Sequence, residues 1–184
     1  MKLKLLAGAT LLGCSSLALA QPYIGASFGR VDYDEEGVSK PTGFDLYAGF
    51  KVNEYFALEG VYTDLGEADI GFQDEYYYYD GYYTYQITET YSGDLSVDSI
   101  GFAGKVIIPV ADVLELYARG GFHAWDAEIS GAGGSVSEDG TDPFLGFGLT
   151  FKVGNSVGLG ARYTRYDLED DDVSMAAANI ELYF

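Results

Sequence analysis

Residues 42–52 read Thr42-Gly43-Phe44-Asp45-Leu46-Tyr47-Ala48-Gly49-Phe50-Lys51-Val52. Phe44, Leu46, Ala48, Phe50 and Val52 alternate with Gly43, Asp45, Tyr47, Gly49 and Lys51, a period of two rather than the 3.6 of a helix. Successive side chains of a strand point to opposite sides. This segment therefore has one apolar face and one face that is small or charged.

The same two-faced pattern recurs along the chain. Phe56, Leu58 and Tyr62 oppose Glu59 and Thr63; Ile100, Phe102, Val106 and Ile108 oppose Ser99 and Lys105. Leu114, Leu116, Ala118, Phe122 and Ala124 oppose Glu115, Tyr117, Arg119 and His123. Leu145, Phe147, Leu149, Phe151 and Val153 face away from Gly146, Gly148 and Lys152, and Val157, Leu159, Ala161 and Tyr163 from Gly158, Gly160 and Arg162. The last segment sets Ala178, Ile180, Leu182 and Phe184 against Asn179, Glu181 and Tyr183. With a weaker strand over 23–31 these make eight.

The connections alternate as well. Tight joins fall near 52–54, 109–112 and 154–156, and long ones over 34–41, 66–93, 126–141 and 167–172. Short turns at one end and long loops at the other are the habit of transmembrane barrels, in which the turns are periplasmic and the loops external. The expected fold is all-β: a closed antiparallel eight-stranded transmembrane up-and-down β-barrel with both termini on the periplasmic side. Closure pairs every backbone group in the bilayer without leaving an edge.

The first twenty residues read differently. Met1-Lys2-Leu3-Lys4, an apolar run and the triplet Ala18-Leu19-Ala20 form the pattern of a secretory signal peptide, so residues 1–20 are expected to be removed and 21–184 to form the barrel domain. Leu11-Leu12-Gly13-Cys14 resembles a lipobox, but cleavage there would leave an apolar tail ahead of the first strand. Cys14 is the one cysteine, so the mature chain is expected to carry neither a disulfide nor a thiol site. Of 10 basic and 29 acidic residues only two, both Lys, lie in the leader, which leaves a formal charge of −21 and argues against nucleic acid as a partner.

Alternation alone does not separate a membrane barrel from a soluble one, because exchanging the two faces converts one into the other. Aromatic residues near strand ends on the apolar face suit an interfacial girdle. The other face carries both charge signs: Lys51, Lys105, Arg119, Lys152 and Arg162 are placed to neutralise Asp45, Glu59, Glu115 and Glu181 in a lumen. The chain closes on Asn179-Ile180-Glu181-Leu182-Tyr183-Phe184, alternating up to a terminal Phe. This ending resembles the final-strand signal read by the barrel assembly machinery of Gram-negative bacteria, with Phe184 as its mark. With the whole mature chain matching, the sequence resembles the outer-membrane β-barrel family that includes the transmembrane domain of outer membrane protein A. The resemblance implies residence in the outer membrane among lipids and lipopolysaccharide. It does not imply peptidoglycan binding, because no periplasmic domain follows the eighth strand.

Eight strands enclose a lumen that side chains fill, so the mixed charges read as a structural plug rather than a diffusion path. A narrow or gated small-solute channel is the alternative. His123 is the single histidine, which excludes a His-based metal cluster. Some small outer-membrane barrels are lipid A deacylases with a His-x-Ser arrangement facing lipid; here the sequence is His123-Ala124-Trp125, with His123 on the inner face. No catalysis, cofactor or metal site is expected.

In 75–86, Asp80-Gly81 separates two arms bearing Tyr76, Tyr77, Tyr78, Tyr79, Tyr82, Tyr83 and Tyr85. Asp-Gly is a two-residue hairpin signal, so the segment reads as a rigid hairpin above the membrane; its tyrosines also suit an adhesive or sugar-binding surface. Acids crowd the long connections, among them Asp32, Asp34, Glu35, Glu36, Glu67, Asp69, Asp74, Glu138, Asp139, Asp142, Asp167, Glu169, Asp170, Asp171 and Asp172. Either they are solvated, mutually repelling loops, or they bridge to lipopolysaccharide phosphates through divalent cations. A non-enzymatic monomer contributing to envelope structure or surface contact is the expectation.

Overall fold

In the computed structural model, residues 21–33, 38–79, 82, 84–131, 134–168 and 171–184 are described, the side chains of 72–79, 84–91 and 171 excepted. The signal-peptide, Cys14, Asp80-Gly81 and Tyr83 expectations lie outside the described residues, as do Asp34, Glu35, Glu36, Glu169 and Asp170.

Eight strands follow in order: β1 Gln21–Asp32, β2 Thr42–Lys51, β3 Phe56–Tyr79, β4 Thr84–Ala111, β5 Leu114–Gly131, β6 Gly134–Val153, β7 Val157–Leu168 and β8 Asp171–Tyr183. Each pairs antiparallel with its sequence neighbour, and β1 pairs with β8, so the sheet closes into a barrel. The closure is staggered. A path across cross-strand partners runs Pro22, Phe50, Leu58, Gly104, Gly120, Leu145, Arg165, Ser174 and returns to β1 at Asp32, ten residues beyond its start. With strands about 4.8 Å apart and a rise of about 3.3 Å per residue, that stagger sets a tilt of about 40° and a radius of about 8 Å.

Parity is kept around the ring. Phe28, Leu46, Phe56, Ile100, Phe102, Phe122, Leu145, Phe147, Phe151 and Phe184 are exposed on the outside, while Asp45, Glu59, Lys105, Arg119 and Glu181 are buried within. Outward aromatics recur at the turn end (Tyr55, Phe56, Phe151, Phe184) and further up (Phe28, Phe122, Phe147, Tyr163). An apolar outside around a charged inside is the inverse of a soluble globule, and it suits hydrocarbon.

Glycines on the inner face give the lumen its room. At Gly148 a Cβ would lie 2.5 Å from both the Ala161 carbonyl oxygen and the Tyr117 hydroxyl. Where β3 leaves the barrel, Gly66 takes φ +76°, and the β3–β4 register slips between Asp64 and Glu67. This is a bulge with glycine in the left-handed region, a device that bends a strand and changes its twist.

The long connections expected over 66–93 and 126–141 are strands instead. β3 runs for 24 residues and β4 for 28, and they pair as far as Tyr79 with Thr84. β5 and β6 pair as far as Gly131 with Gly134. The closing pair Tyr79–Thr84 leaves four residues between β3 and β4, rather than the two of an Asp-Gly turn. At that tilt 24 residues span roughly 60 Å of axis, against an apolar band of about 25 Å. A sheet of β3, β4, β5 and β6 thus continues past the barrel rim.

Candidate functional site: a filled lumen and a protruding acidic sheet

The lumen is layered. Nearest the turns, Lys51 Nζ donates to Glu115 Oε2 at 2.9 Å, and Lys152, about a third exposed, reaches Glu115 Oε1 at 2.6 Å. Above them Lys105 lies between two carboxylates, 3.2 Å from Glu59 Oε1 and 3.0 Å from Glu181 Oε1. Tyr23 donates to Glu59 at 2.7 Å, and both Tyr47 and Tyr183 donate to Glu181.

Higher still, Asp45 accepts from Ser27 at 2.8 Å, Thr63 at 2.9 Å and Tyr166 at 3.0 Å, with Arg162 Nη1 and Arg119 Nη2 at 3.3 and 3.4 Å. Arg119 Nη1 is also 3.6 Å from Glu59 Oε2. The cations rest on rings as well, with Lys105 4.1 Å from the centroid of Tyr117 and Arg162 4.1 Å from that of Tyr47. Aromatic faces suit cations that have left water.

Among the described residues, four acids (Asp45, Glu59, Glu115, Glu181) and four Lys or Arg residues (Lys51, Lys105, Arg119, Arg162) are buried. A closed, low-dielectric lumen tolerates charge only when it is paired, and each of these eight groups lies within 4 Å of one of opposite sign. Toward the hairpin end the filling turns apolar, with Val31, Leu65, Phe144, Val173 and Met175 all buried. His123 sits at this level with its Nε2 3.1 Å from the Asp167 carbonyl oxygen and its ring edge-on to Phe144 and Tyr166. It is walled in by aromatic rings on the inner face.

The nine interior charges singled out by parity are therefore brought together, Lys152 at the mouth. Composition gave no hint of the tyrosine and hydroxyl partners Tyr23, Tyr47, Tyr166, Tyr183, Ser27, Thr63 and Thr164, the last accepting from Arg119 Nη2 at 2.9 Å. Parity carried a signal for several of them: Tyr47 shares a face with Asp45, and Tyr183 with Glu181. Phe184 is exposed and its N–H donates to the Pro22 carbonyl, tying the chain end to β1 at the turn rim.

Above the rim the charges are arranged in the opposite manner. Starting at the rim, Asp64 pairs with Asp98, Asp98 with Asp126 and Asp126 with Asp139, a carboxylate on each of four adjacent strands along one cross-strand row of the outward face. Further pairs set Asp69 against Asp94 and Asp74 against Glu89. Like charges directly opposite repel. Among the described residues no three His, Cys, Asp or Glu side chains converge as a metal cage would require. At the rim Arg165 Nε donates to Asp172 Oδ1 at 3.0 Å. That bond holds the Asp172 carboxyl below its ordinary range, while burial and the neighbouring Asp172 push Asp167 up. Of the tyrosines, Tyr76, Tyr77, Tyr78, Tyr79 and Tyr85 lie in β3 and β4, Tyr78 being the partner of Tyr85, and Tyr82 is exposed at the tip.

Solved structures share this architecture. Neisserial surface protein A is 14% identical with a TM-score of 0.61, over 90% of this chain and 97% of that one. The N-terminal β-barrel domain of Pseudomonas aeruginosa OprF is 14% identical with a TM-score of 0.58, over 89% and 97%. Ail, the attachment invasion locus protein of Yersinia pestis, is 22% identical with a TM-score of 0.57, over 90% and 97%, and has also been solved with the heparin analogue sucrose octasulfate. At these identities the likeness is one of fold. No curated protein matches the chain. The family model for the outer membrane protein beta-barrel domain matches residues 5–184, and the chain belongs to that family.

Proposed function

We propose that this protein is a non-enzymatic barrel of the Gram-negative outer membrane that serves envelope structure and surface contact through the acidic, Tyr-rich sheet above its rim. One observation carries this reading: the lumen is closed by paired charges and an apolar layer, whereas β3 and β4 continue for more than twice the length of a bilayer crossing. The exposed chemistry therefore lies outside the barrel. In this reading residues 1–20 are a cleaved signal peptide and 21–184 the barrel, which works as a monomer. Phe184 marks the last strand for the assembly machinery, the short turns are periplasmic and the sheet is extracellular.

The acids face the headgroup region of the outer leaflet, where divalent cations would bridge them to lipopolysaccharide phosphates. Such a bridge takes ligands from both partners and needs no metal cage within the protein. The sulfated sugar bound to Ail is a polyanion, which a surface of this charge would repel, so that ligand class is not carried over. The layered lumen also weighs against a channel.

The test has three arms in intact cells and planar bilayers. A cysteine at Tyr82 should react with a membrane-impermeant maleimide and one at Asn155 should not. Purified barrel should give no conductance steps above background. Shortening 68–93 to a tight turn should keep the heat-modifiable gel shift but remove adhesion conferred by expression. Labelling at Asn155 alone, or reproducible unitary currents, would overturn the reading.

A further inference from the structure

Eight basic residues follow Gln21, and five of them fill the lumen or its mouth. The other three, Arg30, Lys40 and Arg165, belong to one side of the rim, on or beside β7, β8, β1 and β2, away from the acidic sheet of β3 to β6. Two cross-strand rows of the outer face organise them. Asp32 pairs with Ser174 and Ser174 with Arg165; in the row below, Arg30 pairs with Ala176 and Ala176 with Tyr163. Arg30 and Arg165 thus stand on either side of β8, with only Ser174 and Ala176 between them.

Lys40 pairs with Asp32, and Arg165 engages Asp172 through Nε and Nη2 while keeping its other N–H donors. Arg30 is exposed, and no carboxylate among the described residues lies within 4 Å of its guanidinium. Asp32, Tyr163, Arg165, Asp172 and Ser174 line a notch of about 190 Å³. Below it the outward positions of β8 are Ala176 and Ala178, and Ala178 opens onto a groove of about 430 Å³ between Phe28, Phe44 and Leu46. That groove shares Ala26, Leu46 and Ile180 with a second of about 610 Å³ that reaches Gly60, where an added Cβ would meet nothing within 4 Å.

From the hydrocarbon outward the order is therefore an apolar groove, a pair of arginines and a pair of carboxylates. An ethanolamine phospholipid has the same order: acyl chains, a phosphate diester and an ammonium. Guanidinium suits the phosphate and carboxylate the ammonium. We propose that this face of β7, β8, β1 and β2 binds one phospholipid of the phosphatidylethanolamine type. Arg30 and Arg165 hold its phosphate, Asp32 and Asp172 its ammonium, and an acyl chain lies over Ala176 and Ala178 in the groove. The carboxylates select the headgroup, because a lipid with phosphate and no amine sets its charge against them. Lipid A is of that kind. In the orientation proposed above the site faces the outer leaflet.

The test offers the folded full-length barrel, in micelles, equimolar phosphatidylethanolamine, phosphatidylglycerol and phosphatidylcholine with identical acyl chains, and counts adducts by native mass spectrometry. A single phosphatidylethanolamine adduct is expected to exceed each of the others about tenfold, the scale of one charge-assisted hydrogen bond. The double variant Arg30→Gln with Arg165→Gln should lower retention of all three lipids about tenfold. Asp32→Asn should instead erase the preference over phosphatidylglycerol without lowering phosphatidylglycerol retention. Ala178→Leu, which faces hydrocarbon and fills the track, should lower retention of all three while the heat-modifiable gel shift is kept. Equimolar lipid A should not displace the adduct.

Equal retention of the three lipids, or retention unaltered in both the arginine double variant and Ala178→Leu, would show a bulk lipid annulus only and overturn the proposal. Preference for phosphatidylglycerol, or displacement by lipid A, would overturn it as well. Failure of the Tyr82 labelling, by contrast, would remove the surface-contact reading and leave the lipid selectivity in place.

Discussion

The inside of the barrel and the sheet above it treat charge in opposite ways. Within the lumen each buried carboxylate meets a cation: Asp45 meets Arg119 and Arg162, Glu59 and Glu181 share Lys105, and Glu115 holds Lys51. Above the rim, carboxylate faces carboxylate across four strands. The difference follows from solvent. In a closed lumen an unpaired ion loses several kcal/mol of hydration with nothing in return, so folding enforces the pairing. In water the repulsion is weakened by the high dielectric and by salt, and acids are tolerated there opposite one another. Charge inside holds the barrel together; charge outside is available for contact.

The comparison breaks most visibly at Asp45. Replacing it with Ala strips two arginines and three hydroxyls of a shared acceptor, and the expected loss is about 3–5 kcal/mol of unfolding free energy, read by urea titration of the refolded barrel in micelles. A retained midpoint would mean that the lumen is wet enough to solvate both arginines. At the turn-side mouth the environment is intermediate, since Lys152 is partly exposed. Glu115→Gln, which leaves the buried Lys51 beside a neutral amide while Lys152 turns to solvent, is therefore expected to lose less, about 2 kcal/mol.

Outside, the sign should change. Asp126→Asn relieves repulsion from both Asp98 and Asp139, and should leave stability unchanged or raise it by up to about 0.5 kcal/mol at low ionic strength. That gain should disappear with magnesium or high salt. The smallest effect belongs to Arg165 and Asp172 at the rim. The Asp172 carboxyl titrates below its unfolded value, so its contribution is present above the ordinary carboxylate range and is lost as pH falls through the lower folded value. Both groups are exposed, so Arg165→Gln should differ from wild type only slightly at about pH 6, and the difference should shrink as pH falls below the ordinary carboxylate range.

Much of this contrast was legible in the sequence wherever lipid and lumen impose different chemistry on alternate residues. In 42–52 and 178–184 the apolar and polar positions separate cleanly, and parity placed Asp45, Lys51 and Glu181 on one face. Beyond Gly66 the alternation persists, with Ala68 and Ile70 buried between Glu67 and Asp69, but the crowding of acids, glycines and tyrosines over 66–93 reads as a connection rather than a strand. The Asp-Gly pair suggested a tighter turn than the Tyr79–Thr84 register permits, because cross-strand register in a long hairpin is set by the whole ladder and not by its tip alone. The pairing of particular charges was hidden for another reason. Asp45, Arg119 and Arg162 come from β2, β5 and β7, and only the ten-residue stagger of the closed sheet brings their side chains together.

The most direct test sets Asp45→Asn beside Asp126→Asn, the same chemical change below and above the rim, in urea unfolding of the full barrel at low salt. The account predicts a large drop in midpoint for Asp45→Asn and none, or a small rise, for Asp126→Asn. Equal losses at the two sites, or a larger one at Asp126, would contradict it.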